Sequence, residues 1–230
     1  MPRETFDQDL QRLQDEVLVL GSMVEKAVIQ SVKTLRERDR EAARRLIIGD
    51  RVINEKRFAI EANALTLIAT QQPLAGDLRI LSAVLEIATE LERIGDYAKG
   101  IAKVGLLIGE EPLLKPFGEI PRMAKMARDM LHRALEAFVH QDVALARAIP
   151  DQDEEMDALH NQVYRNLLTF VMDNPQTIDQ ATYLLWVAHN LERTADRVIN
   201  ICERVVFTVT GEMVEMDVGE GQDLGLEGIA

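Results

Sequence analysis

Apolar residues recur every three to four positions along most of this chain, and proline and glycine interrupt the rhythm at only a few places. In 6–37, Leu10, Leu13, Val17, Leu20, Val24, Ala27, Val28, Ser31 and Leu35 fall on one stripe, which predicts a long amphipathic helix. Asp39 has N-cap chemistry and opens a short helical piece, and Gly49 predicts a bend. Long helices are expected over 50–71 and 77–108, separated by Pro73-Leu74-Ala75-Gly76. The largest interruption runs from Gly109 to Pro121 and holds Pro112, Pro116 and Gly118. Helical spacing then resumes over 119–140, followed by a short piece from Asp142 and a bend at Pro150. Two further long helices are expected at 152–173 and 177–209, parted by Asn174-Pro175.

The second set of elements repeats the first. Asp39 matches Asp142, Met23 matches Met126 and Asp50 matches Asp153, each pair 103 positions apart. Beyond the Pro73 and Pro175 turns the offset is 100. Leu91-Glu92-Arg93-Ile94-Gly95-Asp96 returns there as Leu191-Glu192-Arg193-Thr194-Ala195-Asp196. The expected fold is therefore all-α, as two tandem, sequence-related antiparallel three-helix bundles. The expected division is 1–109 for the first bundle, 110–121 for a linker, 122–210 for the second and 211–230 for a tail.

Composition sharpens this picture. Aromatics are only 4 % of a chain that is 47 % hydrophobic, a vocabulary that favours helices over strands. The net charge of −13 opposes contact with nucleic acid phosphates or anionic lipid. Part of it sits in 211–230, where Glu212, Glu215, Asp217, Glu220, Asp223 and Glu227 are spaced by five glycines with no basic residue. That segment reads as mobile and solvated. A single cysteine, Cys202, excludes an intrachain disulfide and reads as inert and buried. Met1 to Leu10 lacks an apolar signal core, and the apolar runs are too short to insert in a membrane, so a cytoplasmic location is expected.

The repeated acids are the candidate chemistry. Glu92 lies seven positions beyond Leu85 and Asp96 eleven, so each points within about 20° of the apolar stripe. Leu185, Glu192 and Asp196 repeat the geometry. The preceding helix offers Asp153 and Asp157 in the second copy, and Asp50 and Asn54 in the first. Counted from the intervening turn, both members of each set lie roughly 17–21 residues away, so antiparallel helices would bring them to one height. Such oxygen donors suit Mg²⁺, Ca²⁺ or Mn²⁺, and carboxylates also hold iron.

The same acids could instead form surface ion pairs with Arg93 or Arg79, and Asp50 and Asp153 could be N-caps. Of four histidines, His160 and His189 fall near the second set without counterparts in the first, and no Glu-x-x-His pair occurs. The methionines read mainly as core, and Trp186 as a core or interface anchor. There is no nucleophile beside a base, no phosphate-cradling glycine loop and no zinc spacing.

Asp50-x-x-Ile53-Asn54, Pro73-Leu74-Ala75-Gly76-Asp77-Leu78-Arg79 and Glu90-Leu91-Glu92-Arg93-Ile94-Gly95-Asp96-Tyr97-Ala98-Lys99-Gly100-Ile101-Ala102 resemble the PhoU family. So do Asp153-x-x-Met156-Asp157 and the run from Asn190 to Ile201, and the resemblance spans residues 5–209. It implies a non-catalytic, cytoplasmic negative regulator of phosphate uptake. The implied partners are a phosphate ABC transporter ATPase and a sensor histidine kinase, with a homodimer expected. It also implies metal clusters, iron among them, at E(D)xxxD positions: Asp50, Asn54, Glu92 and Asp96, then Asp153, Asp157, Glu192 and Asp196. Asn54 departs from the acid, and the acidic tail departs from the family pattern. A carboxylate-bridged, ferritin-like enzyme or metal store is the alternative reading.

Overall fold

The computed structural model describes residues 3–109 and 112–216. Among these residues there are seven α-helices and no strand: α1 Arg3–Glu37, α2 Arg40–Gln71, α3 Ala75–Ile108, α4 Ile120–His140, α5 Val143–Ala148, α6 Asp153–Asp173 and α7 Ile178–Thr210. The turns follow from local chemistry. Arg38 and Gln141 adopt positive φ, and the next residue in each copy caps the following helix. Asp39 accepts from the Ala42 N–H and Asp142 from the Leu145 N–H, both at 2.9 Å.

The copies differ at the expected bends. α2 runs unbroken through Gly49, whereas α5 stops at Ala148 and a 3-10 turn, Pro150–Gln152, precedes α6. Glycine keeps its N–H and costs a helix only about 1 kcal/mol relative to alanine. Proline lacks the N–H and collides with the preceding turn. Asp50 is therefore mid-helix and Asp153 is the first residue of α6, so neither is an N-cap.

Within the first copy α1, α2 and α3 pack together, and within the second α4, α6 and α7 do so with α5 at one end. The two copies meet through α3 on α7 and α1 on α4. Contacts on the first seam run in opposite senses along the two helices. Arg79 Nε donates to the Thr208 carbonyl (3.3 Å), Arg197 reaches both Glu90 (3.4 Å) and the Tyr97 hydroxyl (3.3 Å), and Gly100 abuts Asn190. The crossing is thus antiparallel, and the equivalent residues Tyr97 and Arg197 meet near its middle, as a pseudo-two-fold requires. On α1 and α4, a Cβ added to Gly21 would lie 2.2 Å from a Leu135 methyl carbon, and His132 Nδ1 lies 3.2 Å from Glu25 Oε1. One hydrophobic core runs through both copies.

The connecting segment is tied down. The Gln180 side chain accepts from the Leu114 N–H (2.8 Å) and donates to the Pro112 carbonyl (3.2 Å), and Phe117 is buried. At the beginning of the tail, residues 211–213 and Glu215 are exposed, as expected, while Val214 and Met216 are half-buried. Val214 and Met216 pack on the core, and the Met216 N–H donates to Glu203 at 2.9 Å. The rest of the tail, 217–230, lies outside the described residues.

Glu90 also accepts from Asn200 Nδ2 at 3.3 Å, so it serves two donors of the opposite copy. Replacing it with alanine strands the Arg197 guanidinium in a half-buried seam. Glu90→Ala is expected to lower unfolding free energy by about 1–3 kcal/mol in urea titrations. An unchanged midpoint would contradict the role given to this contact.

Candidate functional site

The first set of acids converges, but around a cation of the protein's own. Asp50 is 5 % exposed, and its Oδ2 accepts from Lys99 Nζ at 2.7 Å and from Asn54 Nδ2 at 3.1 Å. Lys99 also donates to Asp96 Oδ1 at 3.3 Å. Gly95 allows this approach of α2 to α3: a Cβ there would already sit 3.2 Å from Ile53. The other Asp50 oxygen, Oδ1, is buried and lacks a hydrogen-bond partner among the described residues.

Electrostatics follow from this crowding. The bond to Asp50 raises the Lys99 pKa against the opposing effect of burial. Burial raises the Glu92 pKa, reinforced by the charges of Asp96 and Asp50 and opposed by Arg57 and Arg93. Arg93 itself pairs with Glu90, and Arg79 with the end of α7.

Antiparallel heights thus match in this copy, as the residue count requires. In the arrangement present, the Lys99 ammonium bridges Asp50 and Asp96, the place between the carboxylates that a cation would take. Asn54, a neutral donor to Asp50, supplies no further negative charge.

The second set is arranged differently. The equivalent of Lys99 is Ile199, which offers no ammonium. Glu192 Oε2 lies 2.9 Å from His189 Nδ1, and the His189 ring lies 6.3 Å from that of His160 on α6. Donor atoms of His160, His189 and Glu192 all lie within 4.8 Å of one another. Among the described residues, this is the sole group of three or more His, Cys, Asp or Glu donors that close. Of the four acids expected in the second copy, Glu192 belongs to this group of three.

The signal was present in the sequence as His189-x-x-Glu192, the reverse of the Glu-x-x-His order. Asp157-x-x-His160 offers the same one-turn spacing on α6. Elsewhere, burial pushes the Cys202 thiol up to about 12, consistent with an inert core residue. Trp186 is 60 % exposed and so is no core anchor.

The repeated bundle and its motif helices have known counterparts. The PhoU domain matches residues 17–104 and again 120–205. The chain belongs to the PhoU family. The two matches coincide with the two sequence copies. The phosphate-specific transport system accessory protein PhoU homolog of Caulobacter vibrioides is 37 % identical over 210 residues, 91 % of either chain. The Aquifex aeolicus homolog is 33 % identical, over 90 % of this chain and 94 % of its own. The crystal structure of the phosphate transport system regulatory protein PhoU from Streptococcus pneumoniae superimposes with a TM-score of 0.85 at 32 % identity. It covers 91 % of this chain and 99 % of that one. PhoU from Pseudomonas aeruginosa gives the same TM-score at 29 % identity, over 90 % of this chain and all of its own. The two-bundle PhoU fold is therefore shown for this chain.

Two outcomes test the first-copy electrostatics. Lys99→Ala leaves the buried Asp50 carboxylate without its cation and is expected to cost about 1–3 kcal/mol at pH 7, less than for a fully buried pair because Lys99 is partly exposed. Adding Asp50→Asn should recover most of that loss in chemical denaturation. Glu92 has a raised folded pKa, so the native state gains from its protonated form. That contribution is complete below pH 4.5 and is lost as pH rises through the folded value. Glu92→Gln should therefore raise Tm at pH 7 and leave it nearly unchanged below pH 4.5.

Proposed function

We propose that this protein is a cytoplasmic negative regulator of phosphate uptake, an adaptor that couples the phosphate ABC transporter ATPase to the phosphate-sensing histidine kinase. The observation that carries the reading is membership of the PhoU family over both copies. It is supported by relatives named as accessory or regulatory proteins of phosphate transport. No helix among the described residues is long and apolar enough to cross a membrane, and the adaptor reading needs none. Surface contact does the work, and α6 offers apolar side chains for it. Tyr164, Leu168 and Met172 are all exposed and four residues apart, Met172 by 74 %. Such a stripe on one helix face suits docking into a partner's groove. The same reading has the protein as a homodimer, which light scattering of the purified chain would test.

A bundle metalloenzyme or metal store is the second reading, and the imidazoles of His160 and His189 are what favour it. Oxygen uptake after anaerobic Fe²⁺ loading separates the two: a flat trace leaves the regulator.

Deleting the gene should raise phosphate uptake and response-gene expression in phosphate-rich medium. The native chain should restore repression, whereas a Leu168→Glu, Met172→Glu variant with unchanged circular dichroism should not. Uptake that stays normal on deletion would sink the reading.

A further inference from the structure

We propose that the cleft between α1 and α2 of the first copy binds a small organic phosphate, a monoester whose body carries a neutral hydroxyl or N–H donor.

The space comes first. The cleft measures about 630 Å³, a volume typical of small-molecule sites. Ala27 of α1 and Ala42 and Gly49 of α2 line its walls, and the buried residues Asp50, Ile53 and Gly95 form its inner end. Small side chains make the room: a Cβ added at Gly49 meets nothing within 4 Å. The positions equivalent to Ala27, Ala42 and Gly49 in the second copy are Met130, Leu145 and Gln152, all larger. Met130 is fully buried there, and Arg133 Nη1 donates to Gln152 Oε1 at 2.9 Å. Side chains and a hydrogen bond thus occupy in one copy the place that is open in the other.

Charge diverges in the same sense. Lys26 and Arg45 line the cleft and are both exposed, and neither makes an ion pair among the described residues. Their counterparts are Asp129 and Ala148. On a chain of net charge −13, two unpaired cations beside one cleft mark a place for an anion.

The inner end calls for the opposite chemistry. Oδ2 of Asp50 accepts from Lys99 and Asn54, while Oδ1 is buried without a hydrogen-bond partner. A donor supplied there removes the cost of an orphaned acceptor. Oδ1 is closed to water, so the donor reaches it as the neighbouring Ile53 side chain turns aside; both groups lie within 4 Å of the Gly95 Cβ position. Because Lys99 already neutralises this carboxylate, a hydroxyl or neutral N–H suits it better than a second ammonium.

The two ends define the ligand. Its anionic group sits at the mouth, its donor sits at the inner end, and several atoms join them along the apolar walls. A guanidinium and an ammonium together favour a phosphate group. Inorganic phosphate does not meet both demands, since it is far smaller than the cleft and its charge is repelled by Asp50.

The inference stands apart from the transport reading, because binding by the purified chain is measured without transporter or kinase. Calorimetric titration of the full chain with glycerol 3-phosphate, glucose 6-phosphate and AMP should show at least one of them bound, one per chain, with a rise in Tm. Which of them binds separates a polyol or sugar body from a nucleoside. Glucose, adenosine and inorganic phosphate should give no response at the same concentrations. Gly49→Gln installs the residue of the second copy and should abolish binding while Tm stays level or rises, because glutamine is the better helix former. Lys26→Glu with Arg45→Glu should weaken binding by roughly 10-fold or more, as expected for lost hydrogen bonds to a charged group. On the unmutated chain, the bound ester should slow amide hydrogen exchange in 23–34 and 42–53. Failure of all three esters to bind, an equal response to inorganic phosphate, binding retained by folded Gly49→Gln, or slowed exchange confined to other segments would each overturn the assignment.

Discussion

The antiparallel packing of α3 on α7 is the constraint on which the molecule depends. Each helix is buried along one side against its own bundle and along another against the other copy. Leu81, Val84, Ile87, Leu91, Ile94 and Ile101 on α3 are fully or almost fully enclosed, as are Leu184, Val187, Leu191, Val198 and Ile201 on α7. Helices so surrounded carry their polar groups at the edges of these buried sides, one of which faces α2 or α6. The motif acids lie there: Glu92 and Asp96 beside α2, Glu192 beside α6. The seam also positions Arg197 against Glu90 and Tyr97, so the polar contacts between copies are set by the same crossing.

Duplication gave each copy a motif of polar groups at matching sequence positions, and electrostatics resolved each case differently. A carboxylate as deeply enclosed as Asp50 is costly without a counter-charge. In the first copy Lys99 supplies it from within the chain, three residues beyond Asp96 on the same helix. In the second, Ile199 occupies the equivalent place and the polar cluster moves to Glu192 and two histidines. Equal backbone geometry therefore supports unequal chemistry, because one side chain per copy decides whether a cation is already present.

Several features were legible along the chain because they depend on neighbours a few residues away. Capping by Asp39 and Asp142 is one, since an N-cap bonds to a backbone group three positions on. The long helices, the repeat and the matching heights of Asp50 and Asp96 in the first copy are others. Gly49 was less legible: glycine weakens a helix without forbidding it, so packing keeps α2 intact, whereas Pro150 removes a donor and ends α5. In the first residues of the tail, Glu212 and Glu215 are exposed as their charge suggests, while Val214 and Met216 have a core within reach.

By itself the sequence determined the helix-forming stretches, their duplication, the PhoU kinship and the faces on which the acids sit, because helical periodicity and motif order are written in one dimension. Which groups meet across helices was decided only in three dimensions. Lys99 finds Asp50 forty-nine positions away, His160 meets His189 across the α6–α7 turn, and Arg197 joins Glu90 in the opposite copy. Charge and hydrogen bonding act over a few ångströms of space, and distance along the chain carries no information about that separation until the helices have packed.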